Sequence, residues 1–184
     1  MTGTEDLRSE HRAVGRMLDI MDEVAVSFRR GELLNADDLS RVVEFLRVFV
    51  DKCHHSKEEQ LLFPAMRAGK IPGIDDAIDG LLADHARGRD TVSRIAVLVP
   101  SLNAVDESAM TNLAEAINGY TQLLRAHIVR EERDCFDAAD RELPAAVQER
   151  LNEGYERIEL EAVGGGVHEA FHALLDRLAH AYHV

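Results

Sequence analysis

Apolar residues recur along this chain at alternating steps of four and three, and histidines stand inside those seams. Leu7, His11, Val14, Leu18, Met21, Ala25 and Phe28 form one such stripe. Ile78, Leu81, His85, Gly88, Val92, Ile95 and Val99 form a second, and Met110, Leu113, Ile117, Tyr120, Leu124, His127 and Glu131 a third. Leu39, Val43, Leu46, Val50, His54, Glu58 and Leu61 make a fourth, which drifts slightly because three successive steps are of four. A stripe of this period belongs to an amphipathic helix whose apolar face must be buried. No stretch alternates apolar and polar residues long enough to suggest a strand, so the fold class is all-α.

Helix breakers divide the pattern. Gly31 with Asn35 as a helix cap, Gly69 to Pro72, Pro100 to Asp106, and Pro144 separate four long helices near 4–30, 36–68, 73–99 and 106–139. Short connections favour antiparallel neighbours, hence an up-down-up-down four-helix bundle over 1–140. Beyond Pro144 a helix near 144–160, a Gly164-Gly165-Gly166 joint and a last helix make a C-terminal extension, 141–184. The apolar face of that last helix is expected to pack on the bundle or on a second subunit as a homodimer contact.

The histidines repeat. His11 precedes His54 by 43 residues and His85 precedes His127 by 42; each later histidine is followed at i+4 by Glu-Glu, in His54-His55-Ser56-Lys57-Glu58-Glu59 and His127-Ile128-Val129-Arg130-Glu131-Glu132. Residues at i and i+4 lie one above the other on a helix, so His54 with Glu58 and His127 with Glu131 can each reach one point in a core. The second copy fixes the register of the first, since Ile128 cannot coordinate. His55 and Glu59 are therefore expected about 100° away from that face, with His55 on the surface or behind the ligands unless its helix unwinds locally. The residues one turn before the histidines, Leu7, Val50, Leu81 and Leu123, offer nothing to neutralise buried acids.

Four imidazoles and two carboxylates in such surroundings call for cations, because unpaired buried carboxylates cost several kcal/mol each. Two ions bridged by Glu58 and Glu131, with His11, His54, His85 and His127 as terminal ligands, would leave open positions for an oxo or hydroxo bridge and one outside ligand. Mixed imidazole and carboxylate donors suit iron best, with manganese or zinc as alternatives. Tyr120, two turns before His127, either packs as a core tyrosine or brings its phenol toward the ions, and Gly15 and Gly88 either allow close helix packing or leave room for a small ligand beside His11 and His85. His168 and His172 lack a partner motif and read as surface residues.

Composition narrows the partners. A net charge of −13 over 184 residues disfavours nucleic acid and anionic lipid. No apolar run reaches the roughly 20 residues a membrane helix needs, and the start Met-Thr-Gly-Thr-Glu-Asp lacks signal-peptide character. A cytoplasmic location is expected. Cys53 and Cys135 lie inside helical patterns and read as small buried hydrophobes.

The segment His54-x-x-x-Glu58-Glu59-Gln60-x-Leu62-Phe63-Pro64 resembles the most recognisable stretch of the hemerythrin-like, or HHE cation-binding, family. The second half keeps His127-x-x-x-Glu131 and Phe136, with Asp137 where Pro64 stands in the first. The resemblance implies a four-helix bundle with a non-haem di-iron centre reacting with O₂, nitric oxide or peroxide. Oxygen carriers of the family place a fifth histidine at i+4 from the third-helix ligand; here that residue is Arg89. The expected function is thus binding of, or reaction with, a small oxidant or diatomic ligand, in the branch associated with oxidative or nitrosative stress. The alternative is a non-catalytic iron or oxygen sensor or store. A ferritin-like ferroxidase would need Glu-x-x-His on two helices, which these ligands do not form.

Overall fold

The computed structural model of the protein describes residues 2–32, 35–100, 107–162, 164 and 167–184. Among these residues every regular element is a helix: α1 (Glu5–Arg29), α2 (36–68), α3 (Ile74–Leu98), α4 (107–142), α5 (Ala145–Ala162) and α6 (Val167–Tyr182). Local chemistry sets the ends. The Asn35 side chain accepts from the Asp37 N–H at 2.9 Å and caps α2. Gly31 and Gly73 take positive φ, 73° and 75°, at the turns before α2 and α3. The break expected from Pro100 to Asp106 lies almost wholly outside the described residues, as do Gly165 and Gly166.

Two rods are not regular. Over Leu46–His55 and again over Glu58–Leu62, α2 widens into π-helix, and α4 does so over Glu132–Phe136. The Phe63 N–H reaches back to the Glu58 carbonyl, five residues away. Pro64 follows at the next position, where its ring crowds the turn before it. Asp137 follows the matching wide turn of α4, so a proline is not what creates the widening.

Two apolar cores flank a polar layer, and their order along each helix gives the topology. One core takes Val14 and Leu18 from α1, Leu46 and Val50 from α2, Val92 from α3 and Leu124 from α4. The other takes Leu7, Leu62, Leu81 and Cys135 from the same helices. On α1 and α3 the chain passes from the second core to the first; on α2 and α4 it runs the other way. That is an up-down-up-down bundle.

The two last helices cover one side. Leu151 and Tyr155 of α5 belong to the second core, and Phe171, Leu175 and Leu178 of α6 to the first. Phe171 stands edge-on to Phe45 and Phe49, with ring centroids 5.4 and 5.9 Å apart. Gly154 lets α5 approach α2 closely, since a Cβ there would meet Leu61 at 2.7 Å.

Candidate metal centre

Between the two cores each bundle helix contributes side chains to one layer. His11 comes from α1, His54, His55 and Glu58 from α2, His85 from α3, and His127 and Glu131 from α4; all are buried. They fall into two groups whose donor atoms lie within 4.8 Å of one another: His11, His54, Glu58 and Glu131, and His55, His85 and His127. Glu58 faces both groups. Its Oε1 lies 3.0 Å from His54 Nε2, and its Oε2 3.5 Å from His85 Nε2. Glu131 Oε2 lies 3.3 Å from the Nε2 of both His11 and His127.

These spacings have a chemical reading. A cation bonded at about 2.1 Å sets adjacent ligands about 3 Å apart, close to the separations of His54 and Glu58 and of Glu131 with its two histidines. Among the described residues, neither oxygen of Glu58 or of Glu131 has a hydrogen-bond partner, and His11 Nε2 has none. A buried acceptor left so costs about 1–3 kcal/mol. The donor set therefore fits cations, and as ionised carboxylates both acids are suited to receive them.

Behind the inward nitrogens stands a second tier that the sequence reading missed. His11 Nδ1–H donates to Glu132 at 2.9 Å, His54 Nδ1–H to Glu10 at 2.8 Å, and His85 Nδ1–H to Glu59 at 2.7 Å. Asp84 approaches His127 Nδ1 at 3.6 Å, and Asp51 approaches His55 Nδ1 at 3.5 Å. A carboxylate behind an imidazole fixes its tautomer and turns the other nitrogen toward a metal. Cations hold the acids in turn: Lys57 donates to Glu10 at 2.5 Å, Arg130 pairs with Asp84, and Arg89 donates to Glu59 and Asp51 at 2.6 Å each. These cations answer Glu10, Asp84, Glu59 and Asp51; among the described residues no lysine or arginine is paired with Glu58 or Glu131. Glu132 orients His11.

The signal was present in the chain. An acid directly precedes His11 and His85, as Glu10 and Asp84; a cation stands at i+3 from His54 and His127, as Lys57 and Arg130; and the second Glu of each pair, Glu59 and Glu132, serves a histidine of another helix. The repeat holds more than ligand positions. It also holds their supports.

His55 departs most from its expected place. It is buried, stacked on His85 with centroids 3.8 Å apart, and grouped with His85 and His127. A regular helix cannot turn two adjacent residues into one layer; the wide turns over Leu46–His55 bring both His54 and His55 inward. Tyr120 is buried in the first core, its phenol pKa raised by burial. Gly15 has nothing within 4 Å of a virtual Cβ, so close packing does not explain it. His172 is exposed on α6, and the side chain of His168 lies outside the described residues.

Electrostatics repeats the pattern. Burial opposes charge on His54, but Glu58 and Glu10 prevail and raise its pKa from 6.5 to about 10. Burial likewise opposes charge on His11, and Glu131 and Glu132 raise it. His55 goes the other way: burial and the neighbouring histidines push it down to about 3. Glu131 is held well below its ordinary value, its burial outweighed by His11 and His127. Where His54 and His11 carry protons, a metal ion would take over the positive charge. Cys53 and Cys135 are fully buried, and burial pushes both thiols up to about 12, so neither is a nucleophile.

A bundle with this layer defines a class, and comparison with known proteins agrees: the hemerythrin HHE cation binding domain matches residues 2–139, and the chain belongs to that family. Uncharacterized proteins of Mycobacterium tuberculosis and Mycobacterium bovis are 29% identical to it over 181 residues. The match covers 97% of this chain and 68% of each relative. No solved structure matches the chain. Among the described residues, no helix is long and apolar enough to cross a membrane.

Proposed function

We propose that the layer holds two iron ions and that this non-haem centre binds or reacts with a small oxidant or diatomic ligand, O₂, NO or H₂O₂. One observation supports this above the others: the oxygens of Glu58 and Glu131 lie between two sets of imidazoles and have no hydrogen bond to satisfy them. His11 and His54 would serve one ion, and His85, His127 and His55 the other, with Glu58 and Glu131 shared. These donors would leave room at the ions for an outside ligand. An oxo or hydroxo bridge would complete the pair, and manganese or zinc would fit the same donors.

Within this scheme the protein's own groups orient and exclude. Glu10, Glu59, Glu132 and Asp84 aim the imidazoles, and the two apolar cores keep bulk water away. Anaerobic loading with ferrous iron tests the reading. About two irons per chain are expected, with absorption changes on separate exposure to O₂, NO and H₂O₂. Fewer than about one iron per chain, unchanged in the His54→Ala, His127→Ala double variant, would overturn it.

A second reading is an iron or oxygen sensor, favoured by one contact. Lys57, which holds Glu10 behind His54, also reaches Glu159 on α5 at 3.3 Å. The metal layer is thereby wired to the C-terminal helices. Iron-dependent protection of α5 and α6 from hydrogen exchange, without turnover of peroxide or NO, would support this reading.

A further inference from the structure

In the second core one polar group is out of place. Tyr155 of α5 is 1% exposed and packs there, yet its hydroxyl has no hydrogen-bond partner among the described residues. A phenylalanine would fill the same space, and a buried hydroxyl that donates to nothing costs free energy that the ring alone would not. What the hydroxyl faces therefore matters.

Its place is set by α5. Leu151, Tyr155 and Glu159 follow at steps of four, so they share the face of α5 turned toward α2. Leu151 joins the second core, and Glu159 accepts from Lys57 at 3.3 Å. The Tyr155 ring lies between them, with Lys57 Nζ 6.0 Å from its centroid. Gly154, where a Cβ would meet Leu61 at 2.7 Å, lets α5 sit this low against the wide turn Glu58–Leu62.

Burial pushes the phenol pKa up, and four carboxylates push it further, Glu58 most, then Glu10, Asp6 and Asp140. Three of the four are engaged or solvated. Glu10 accepts from His54 and Lys57, Asp140 accepts from Thr4, and Asp6 is exposed. Glu58 is fully buried with both oxygens open. An unused donor and unused acceptors thus lie near each other, shut away from bulk water and not in contact. One water molecule spans such a gap, since it needs only a few polar partners.

We propose that Tyr155 is a positioning residue of the metal layer: its phenol O–H donates through one bridging water to Glu58 and fixes that carboxylate between the two groups of imidazoles. A carboxylate oxygen has two acceptor sites, so the bond and a metal ion can share it. Tyr155 lies outside the matched residues 2–139, so the C-terminal extension contributes to the layer. The positioning role rests on the reading that the layer holds metal; the bond itself does not.

The bond is tested in metal-free protein by a double-mutant cycle of Tyr155→Phe with Glu58→Met, which keeps side-chain length and removes both oxygens. Tyr155→Phe alone should raise the unfolding equilibrium constant about tenfold. In the Glu58→Met background it should leave that constant unchanged or lower it. The role is tested with zinc(II), titrated in competition with a chelator: Tyr155→Phe should weaken binding about tenfold. A phenol that only packs would change stability equally in both backgrounds and leave zinc affinity alone, and either result overturns the proposal. A chain that binds zinc but shows no coupling overturns this proposal alone. One that shows coupling but binds no metal overturns the metal reading and the positioning role with it, while the bond stands.

Discussion

The two halves of the layer were built from one pattern and ended differently. Both have an acid before the early histidine, a cation three residues after the late one, and Glu-Glu at the next two positions. Yet α4 is regular α-helix through His127 and Glu131, whereas α2 is wide-turned on both sides of Ser56 and Lys57. The first half therefore presents His54 and His55 together, while Ile128, the counterpart of His55, is only partly buried beside the first core. Their supports differ as well. Lys57 is 1% exposed beneath α5, whereas Arg130 is 43% exposed. The same spacing yields three inward residues from α2, His54, His55 and Glu58, and two from α4, His127 and Glu131. Helix geometry and cover make the difference.

The comparison breaks most completely if both halves lose their ligand pair. His54→Ala with His127→Ala should abolish stoichiometric iron binding, read as metal per chain after anaerobic loading. A smaller but still large contrast concerns the supports. Lys57→Met leaves Glu10 buried against His54 without its cation and should cost about 3 kcal/mol in urea unfolding of the metal-free protein. Arg130→Met should cost about 1 kcal/mol or less, because Arg130 is half open to water and Arg87 also pairs with Asp84. Equal losses would show that α5 does not seal the first half.

His55→Ile makes the first half like the second. It should weaken the second iron by about 10–100-fold while the first still loads. The converse change, Ile128→His, should add no affinity, since a regular helix does not turn residues 127 and 128 into one layer. A gain in that variant would show that wide turns are not what recruits His55.

A further contrast concerns pH. His54 in the folded metal-free protein titrates near 10 against 6.5 in an unfolded chain. Its contribution to stability is therefore full below about pH 6.5 and is lost as pH rises toward 10. His55, pushed down to about 3, works in the opposite sense below pH 6.5, where its neutral form becomes a burden. The melting temperature of the metal-free protein should fall on both sides of that value. Iron loading should flatten the alkaline limb, because a metal ion replaces the proton on His54.

Much of this was legible in the chain. The steps of four and three required helices, the breakers placed their ends within a few residues, and the spacing of His11, His54, Glu58, His85, His127 and Glu131 placed six residues in one layer. Glu10, Asp84, Lys57 and Arg130 were equally periodic but passed unremarked, since a charged residue beside a buried one is usually solvated. Only the fold shows that each reaches across to another helix.

Inward-facing positions follow from local period. Side chains at i and i+4 share a helix face whatever surrounds them, so which residues look inward follows from spacing wherever the helix is regular. What the tertiary structure alone decided depends on departures from that period and on neighbours distant in the chain. The wide turns of α2 brought His55 into the layer, and the close approach of α5 buried Lys57. How two helices sit against each other is something that no spacing within either one specifies.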